Sequence, residues 1–147
     1  NGQGLLLVGE KSYSCTEMFT LESNADKYYV SDSEVAFAKE NGSAYIGVKT
    51  KTNDVQITGK LIIYLDDGEV ILLNEIDTFD YVDKITTATY FLSEANLNKM
   101  KKSNINTIRF TLLNEYGSEG AFGGNFSASN KSKINFTKII SDFFQVR

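Results

Sequence analysis

Apolar residues recur along this chain in short runs broken by Asn-Gly, Asp-Gly and polar stretches, the pattern of strands joined by tight turns. The clearest case is the pair of runs at 61–65 and 70–73, which flank Asp67-Gly68. Asp-Gly between apolar runs predicts a two-residue type I′ loop, because both positions of that turn need positive φ. Such a loop sets Leu65 opposite Val70, Tyr64 opposite Ile71, Ile63 opposite Leu72 and Lys60 opposite Glu75. One face of the hairpin then carries Val55, Ile57, Leu61, Ile63, Leu65, Val70, Leu72 and Ile76, and the other carries Ile62, Tyr64, Ile71 and Leu73. Both faces are apolar near the turn, so the hairpin is expected to be covered on both sides.

Residues 34–39 and 44–52 read as a second hairpin joined at Asn41-Gly42, with Ile46, Val48 and Thr50 alternating with Gly47, Lys49 and Lys51. Residues 85–92 are dense in β-branched and aromatic side chains and predict a strand. Ser93 offers an N-cap for a short helix over 94–102, with its lysines at the C-terminal end where the helix dipole favours them. Residues 105–113 predict a strand with Ile108, Phe110 and Leu112 on one face and Thr107, Arg109 and Thr111 on the other, so Arg109 is expected to point outward.

The C-terminal segment admits two readings. Phe136, Ile139, Ile140, Phe143 and Phe144 fall on the stripe of an amphipathic helix that Asn135 can cap. A strand through Ile134, Phe136, Ile140, Phe144 and Val146 would bury Lys138 and Asp142, so the helix fits the periodicity better. Such a helix is a candidate cover for the second apolar face of the central hairpin. Residues 117–133, rich in Gly, Ser and Asn, predict a long loop.

Composition narrows the function classes. At 147 residues and 41% hydrophobic content the chain has the size and apolar fraction of one soluble domain. The fold class expected is mainly β, an antiparallel β-sandwich-like domain with a short helix near 94–102 and a C-terminal helix, with α+β as the alternative. Histidine is absent and cysteine occurs once, which removes His-dependent nucleophilic catalysis, imidazole-ligated zinc and any internal disulfide. Cys15 reads as a structural, buried thiol. Net charge is −4 and the only arginines are Arg109 and Arg147, so no phosphate-tracking basic surface is expected and nucleic acid is not an expected partner. No run approaches the roughly 18 apolar residues of a membrane-spanning helix.

Carboxylates remain as candidate chemistry. Asp77, Asp80 and Asp83 follow an apolar run at a spacing of three and offer oxygen ligands for calcium if they share a loop, although the pattern is not that of an EF-hand. Calcium is the one cofactor considered; none is otherwise expected. Asp66, Asp67 and Glu69 crowd one turn, which turn chemistry already explains. A carboxylate pair acting on glycans is the enzymatic alternative, with no particular pair marked by the sequence. Gly117, Gly120, Gly123 and Gly124 lack the Lys-Ser/Thr ending of a phosphate loop. Loop aromatics are the other candidate, and a ligand-binding set of Phe122 and Asn125 on the 117–133 loop with Tyr116 just before it is expected, because binding residues concentrate on loops held by a rigid scaffold.

The segment from Tyr90 to Phe110, Tyr-Phe-Leu-Ser-Glu-Ala-Asn-Leu-Asn-Lys-Met-Lys-Lys-Ser-Asn-Ile-Asn-Thr-Ile-Arg-Phe, resembles a strand, short helix and strand found in uncharacterised exported β-rich domains of Bacteroidetes-type bacteria. The resemblance extends back to the Asp67-Gly68 hairpin and implies a β-sandwich-like domain in the periplasm or outside the cell, with no catalytic residues to carry over. The opening Asn1-Gly-Gln-Gly is similar to the region around the cleavage point of bacterial export signals. The function expected is therefore a non-enzymatic binding or interaction module of an exported protein, with an unknown protein or glycan as ligand. A structural homodimer, in which the doubly apolar hairpin packs on its symmetry mate, is the further alternative.

Overall fold

The computed structural model describes residues 3–8, 11–25, 30–51, 56–82, 84–113 and 124–144. They form eleven strands and two helices: β1 Gln3–Val8, β2 Lys11–Thr16, β3 Phe19–Ser23, β4 Ser33–Glu40, β5 Ser43–Lys51, β6 Gln56–Leu65, β7 Val70–Leu73, β8 Glu75–Val82, β9 Ile85–Leu92, α1 Glu94–Lys102, β10 Ile105–Leu113, β11 Gly124–Ser129 and α2 Phe136–Phe143. The fold is mainly β and antiparallel with two short helices, as the hydrophobic pattern implies. Among the described residues no helix is long and apolar enough to cross a membrane.

Hydrogen-bonded neighbours run β7-β6-β10-β11-β3-β4-β5-β9-β8, with β2 on β4 and β1 on β2. Strand β3 makes the corner. Phe19, Thr20 and Leu21 pair with β4, whereas Glu22 and Ser23 pair with β11. One short strand thereby joins the layer β7-β6-β10-β11 to the layer β4-β5-β9-β8, in the manner of strands that switch sheets at the corners of sandwiches. Where β3 leaves β4, the Asp32 carboxylate accepts the Ser23 N–H at 2.9 Å. Across the opposite side the Ile57 N–H of β6 donates to Thr86 Oγ1 of β9 at 3.0 Å, drawing the sheet toward closure.

The inner faces of both layers form one core that includes Leu21, Phe37, Ile46, Leu61, Ile63, Tyr90, Ile108 and Phe110. Helix α2 completes it. Asn135 Oδ1 accepts the Lys138 N–H at 3.2 Å as N-cap, and Phe136, Ile140 and Phe143 are buried. The helix does not cover the second face of the central hairpin. Its Phe136 ring meets Phe37 and Phe19 edge-on at centroid distances of 6.0 and 5.8 Å, so it plugs the core beside β3 and β4. The apolar stripe dictates a helix but leaves open which sheet face receives it.

Two hairpins show how turn chemistry sets register. At Asn41-Gly42, with φ of 51° and 80°, the two-residue loop leaves Glu40 opposite Ser43, as expected. The Asp67-Gly68 hairpin differs by one residue. Leu65 N–H donates to Glu69 C=O at 2.9 Å, and Gly68 N–H donates to Leu65 C=O at 3.0 Å, so the loop holds Asp66, Asp67 and Gly68, with Gly68 at φ 93°. This is the three-residue loop that ends in a left-handed glycine. Asp67 Oδ1 stabilises it by accepting the Glu69 N–H at 2.9 Å. The ladder therefore sets Ile63 opposite Ile71 and Ile62 opposite Leu72. A one-residue slip exchanges the faces of a strand, which turns Ile71 and Leu73 into the core and Val70 and Leu72 outward.

Two further expectations need correction. The stretch 117–133 is not all loop: β11 occupies Gly124–Ser129, pairing Phe126 with Phe110 and Ala128 with Ile108. Asp77 and Asp80 lie in strand β8, not in a loop, and Asp83 lies outside the described residues.

A candidate recognition face on β7-β6-β10-β11

The ladder registers align outward-facing residues into rows that cross the whole layer. One row runs Val70–Tyr64–Thr107–Ser129–Glu22. The next runs Leu72–Ile62–Arg109–Ser127, and a third sets Thr58, Thr111 and Asn125 side by side. The β7-β6 half is apolar, and Val70 and Leu72 are 46% and 57% exposed. The β10-β11 half consists of hydroxyls and amides.

Hydrogen bonds hold that polar half in place. Asn24 Nδ2 donates to Ser127 Oγ and to Ser129 Oγ, both at 2.9 Å. Ser129 Oγ and Thr107 Oγ1 lie 3.1 Å apart, and Thr107 Oγ1 donates to Asn106 Oδ1 at 2.7 Å. Thr111 Oγ1 donates to Asn125 Oδ1 at 2.8 Å. Asn106 Nδ2 in turn donates to Asp66 Oδ1 at 3.0 Å, tying the face to the hairpin loop. Because strands carry most of these side chains and hydrogen bonds fix the rest, little ordering remains to be done when a ligand arrives.

Arg109 stands where the two halves meet, between Ile62 and Ser127. Its side chain is exposed and makes no hydrogen bond or ion pair among the described residues. A guanidinium without a partner, flanked by an apolar strip and a ladder of fixed polar groups, can pair bidentately with an incoming carboxylate.

Of the residues expected to bind ligand, the structure brings Asn125 onto this face, next to Thr111. Tyr116 and Phe122 lie outside the described residues. Among the described residues no three His, Cys, Asp or Glu side chains come together as a metal site would require. Cys15 is buried against Ala38, matching its structural reading. Sequence reasoning assigned to no site Ile62, Tyr64, Val70, Leu72, Thr107, Ser127, Ser129 or Arg109, of which it expected only that Arg109 points outward; the alternation of serines about Ala128 was the signal available for Ser127 and Ser129.

A smaller aromatic pair sits on the other layer, where Tyr45 and Phe91 are cross-strand partners with rings edge-on at 6.1 Å. Comparison of the chain with protein-family models, curated proteins and solved structures finds no match.

Proposed function

We propose that this domain is a non-enzymatic binding module of an exported bacterial protein, and that it recognises a protein partner through the outward face of β7-β6-β10-β11. The observation that carries the reading is the exposed, uncommitted Arg109 at the junction between Ile62 and Ser127. Protein interfaces concentrate binding energy in a few aromatic and arginine anchors within an apolar centre, surrounded by a polar rim. Tyr64 and Arg109 supply the anchors, Ile62, Val70 and Leu72 the apolar centre, and the Ser127, Ser129, Thr107 and Asn24 ladder the rim. The exported setting rests on the resemblance of the 90–110 segment to exported β-rich domains.

Site-specific photo-crosslinking in the producing cells tests this. A crosslinker at Thr107 or Ser127 is expected to trap one discrete adduct that weakens with Arg109→Ala, while a crosslinker at Lys138 on α2 traps none. Equal adducts from both sides of the domain would contradict the reading. Oligosaccharides that raise the melting temperature of the wild type but not of Asn24→Ala would instead assign the face to a glycan.

A further inference from the structure

Among the described residues the hydrogen-bonded path through the sheet ends at β7, with no strand on its far side. Leu65 N–H to Glu69 C=O closes the hairpin, and hydrogen-bonded pairs alternate along an antiparallel ladder. Ile63–Ile71 and Leu61–Leu73 are therefore the bonded pairs, and Val70 and Leu72 turn their N–H and C=O groups away from β6 toward the open edge. Open edges are usually blunted by charge, proline or a bulge. Strand β7, Val-Ile-Leu-Leu, has no charge and no proline, whereas β8 at the other end of the path carries Glu75, Asp77 and Asp80 in its sequence.

We propose that β7 is a dimerisation edge whose occupant is β7 of a second copy of this chain, antiparallel about a twofold axis, with Val70 of each copy opposite Leu72 of the other and Ile71 on the axis. This pairing makes each Val70–Leu72 pair a hydrogen-bonded one, so the edge-pointing groups of both residues are satisfied. It keeps the core faces of the two copies on the same side. It also continues the outward rows: Ile62–Leu72 of one copy runs into Val70–Tyr64 of the other, making a single apolar stripe across the axis.

Charge favours the same partner. Asp66, Asp67 and Glu69 crowd one end of the hairpin and Lys60 lies at the other, and none of them makes an ion pair among the described residues. Antiparallel pairing about the axis sets the acidic turn of each copy about two strand spacings, roughly 10 Å, from Lys60 of the other, within reach of these side chains. The strand, its apolar row and its charges are thus self-complementary, as a twofold interface requires. This inference does not depend on the recognition of a partner by Arg109, since a monomer can still crosslink through Thr107.

Sedimentation velocity over a concentration series tests it, together with cysteine trapping. The mass is expected to climb from the 16.4 kDa of one chain toward twice that value, and Leu72→Lys is expected to hold it at one chain, with an unchanged melting temperature at concentrations where both proteins are single chains. A mixture of Val70→Cys and Leu72→Cys proteins should form a disulfide-linked pair under mild oxidation that neither protein forms alone. A chain that stays monomeric throughout, a dimer that survives Leu72→Lys, or equal cross-linking of either cysteine variant by itself would overturn the proposal.

Discussion

Lys39 Nζ donates to the carbonyl oxygen of Phe143 at 3.0 Å while lying 4.5 Å above the Phe143 ring. Phe143 ends α2, so the ammonium satisfies a carbonyl that the helix leaves open and sits at the negative end of its dipole. One lysine of β4 thereby fastens the C-terminal helix to the sheet. Replacing it with Met keeps much of the stem packing and removes the charge. Lys39→Met is expected to lower stability by about 1 kcal/mol, the usual size of such a contact. Urea unfolding with an unchanged m-value checks this.

The helix itself matters more. Phe136 is fully buried and contacts Phe19 and Phe37 ring-to-ring, so Phe136→Ala leaves a cavity between α2 and the corner strands. Truncations of this kind cost about 3–5 kcal/mol. Deleting the chain after Asn135 exposes the same core and is expected to abolish cooperative thermal unfolding. A truncated protein that melts as sharply as the full chain would show that α2 is dispensable.

Asn130 is buried and places its amide among backbone groups. Nδ2 donates to the Ile105 and Ile134 carbonyls, each at 3.0 Å, while Oδ1 accepts the Ile134 N–H at 3.0 Å. An aspartate here puts a carboxylate oxygen against two carbonyls at a buried position. Asn130→Asp is expected to cost at least about 3 kcal/mol and more than Asn130→Ala, because a buried carboxylate with the Ile134 N–H on one oxygen and two carbonyls against the other is worse than a missing amide. Denaturant titration of the two variants side by side decides it. Asn130 also begins an Asn-x-Ser sequon, and its burial predicts that this sequon stays unmodified in the folded protein.

Gly68 tests the hairpin loop. At φ 93° an alanine is strained whatever space surrounds it, and no atom lies within 4 Å of the added carbon. Gly68→Ala is expected to destabilise by about 1–2 kcal/mol through the backbone alone. Arg109→Ala, by contrast, removes no hydrogen bond or ion pair among the described residues and is expected to stay within about 0.5 kcal/mol of wild type, as surface substitutions do. A large loss at Arg109 in thermal melts would show a structural role in place of a binding one.

Much of this architecture was legible in the residues. Helix α2 was readable because Phe136, Ile140 and Phe143 repeat at helical spacing, and α1 because Ser93 is a strong N-cap whose Oγ accepts the Asn96 N–H at 3.2 Å. The Asn41-Gly42 hairpin was readable because Ile46 and Val48 alternate with a more polar face. The register at Asp67 was not. With apolar residues on both faces of β6 and β7, hydrophobicity does not choose between a two-residue and a three-residue loop, and Asp-Gly fits either. Strand β11 was hidden for a different reason. It buries Ala128 deeply and packs Phe126 against the core while its serines face outward, a composition shared with loops. Asn125 belonged to the expected site, but its neighbours Arg109 and Thr111 join it only through the β10–β11 register, which sequence spacing does not reveal.

The recognition face exists only if Leu72 and Ile62 stand outward in one row with Arg109. Thiol labelling of single-cysteine replacements in β7 measures this directly, against a background in which Cys15 is only 3% exposed. The account predicts that Leu72→Cys reacts rapidly in the native protein and that Ile71→Cys reacts only after unfolding. Rapid labelling of Ile71→Cys with protection of Leu72→Cys would restore the two-residue loop, turn Leu72 into the core and contradict both the face and the edge built on it.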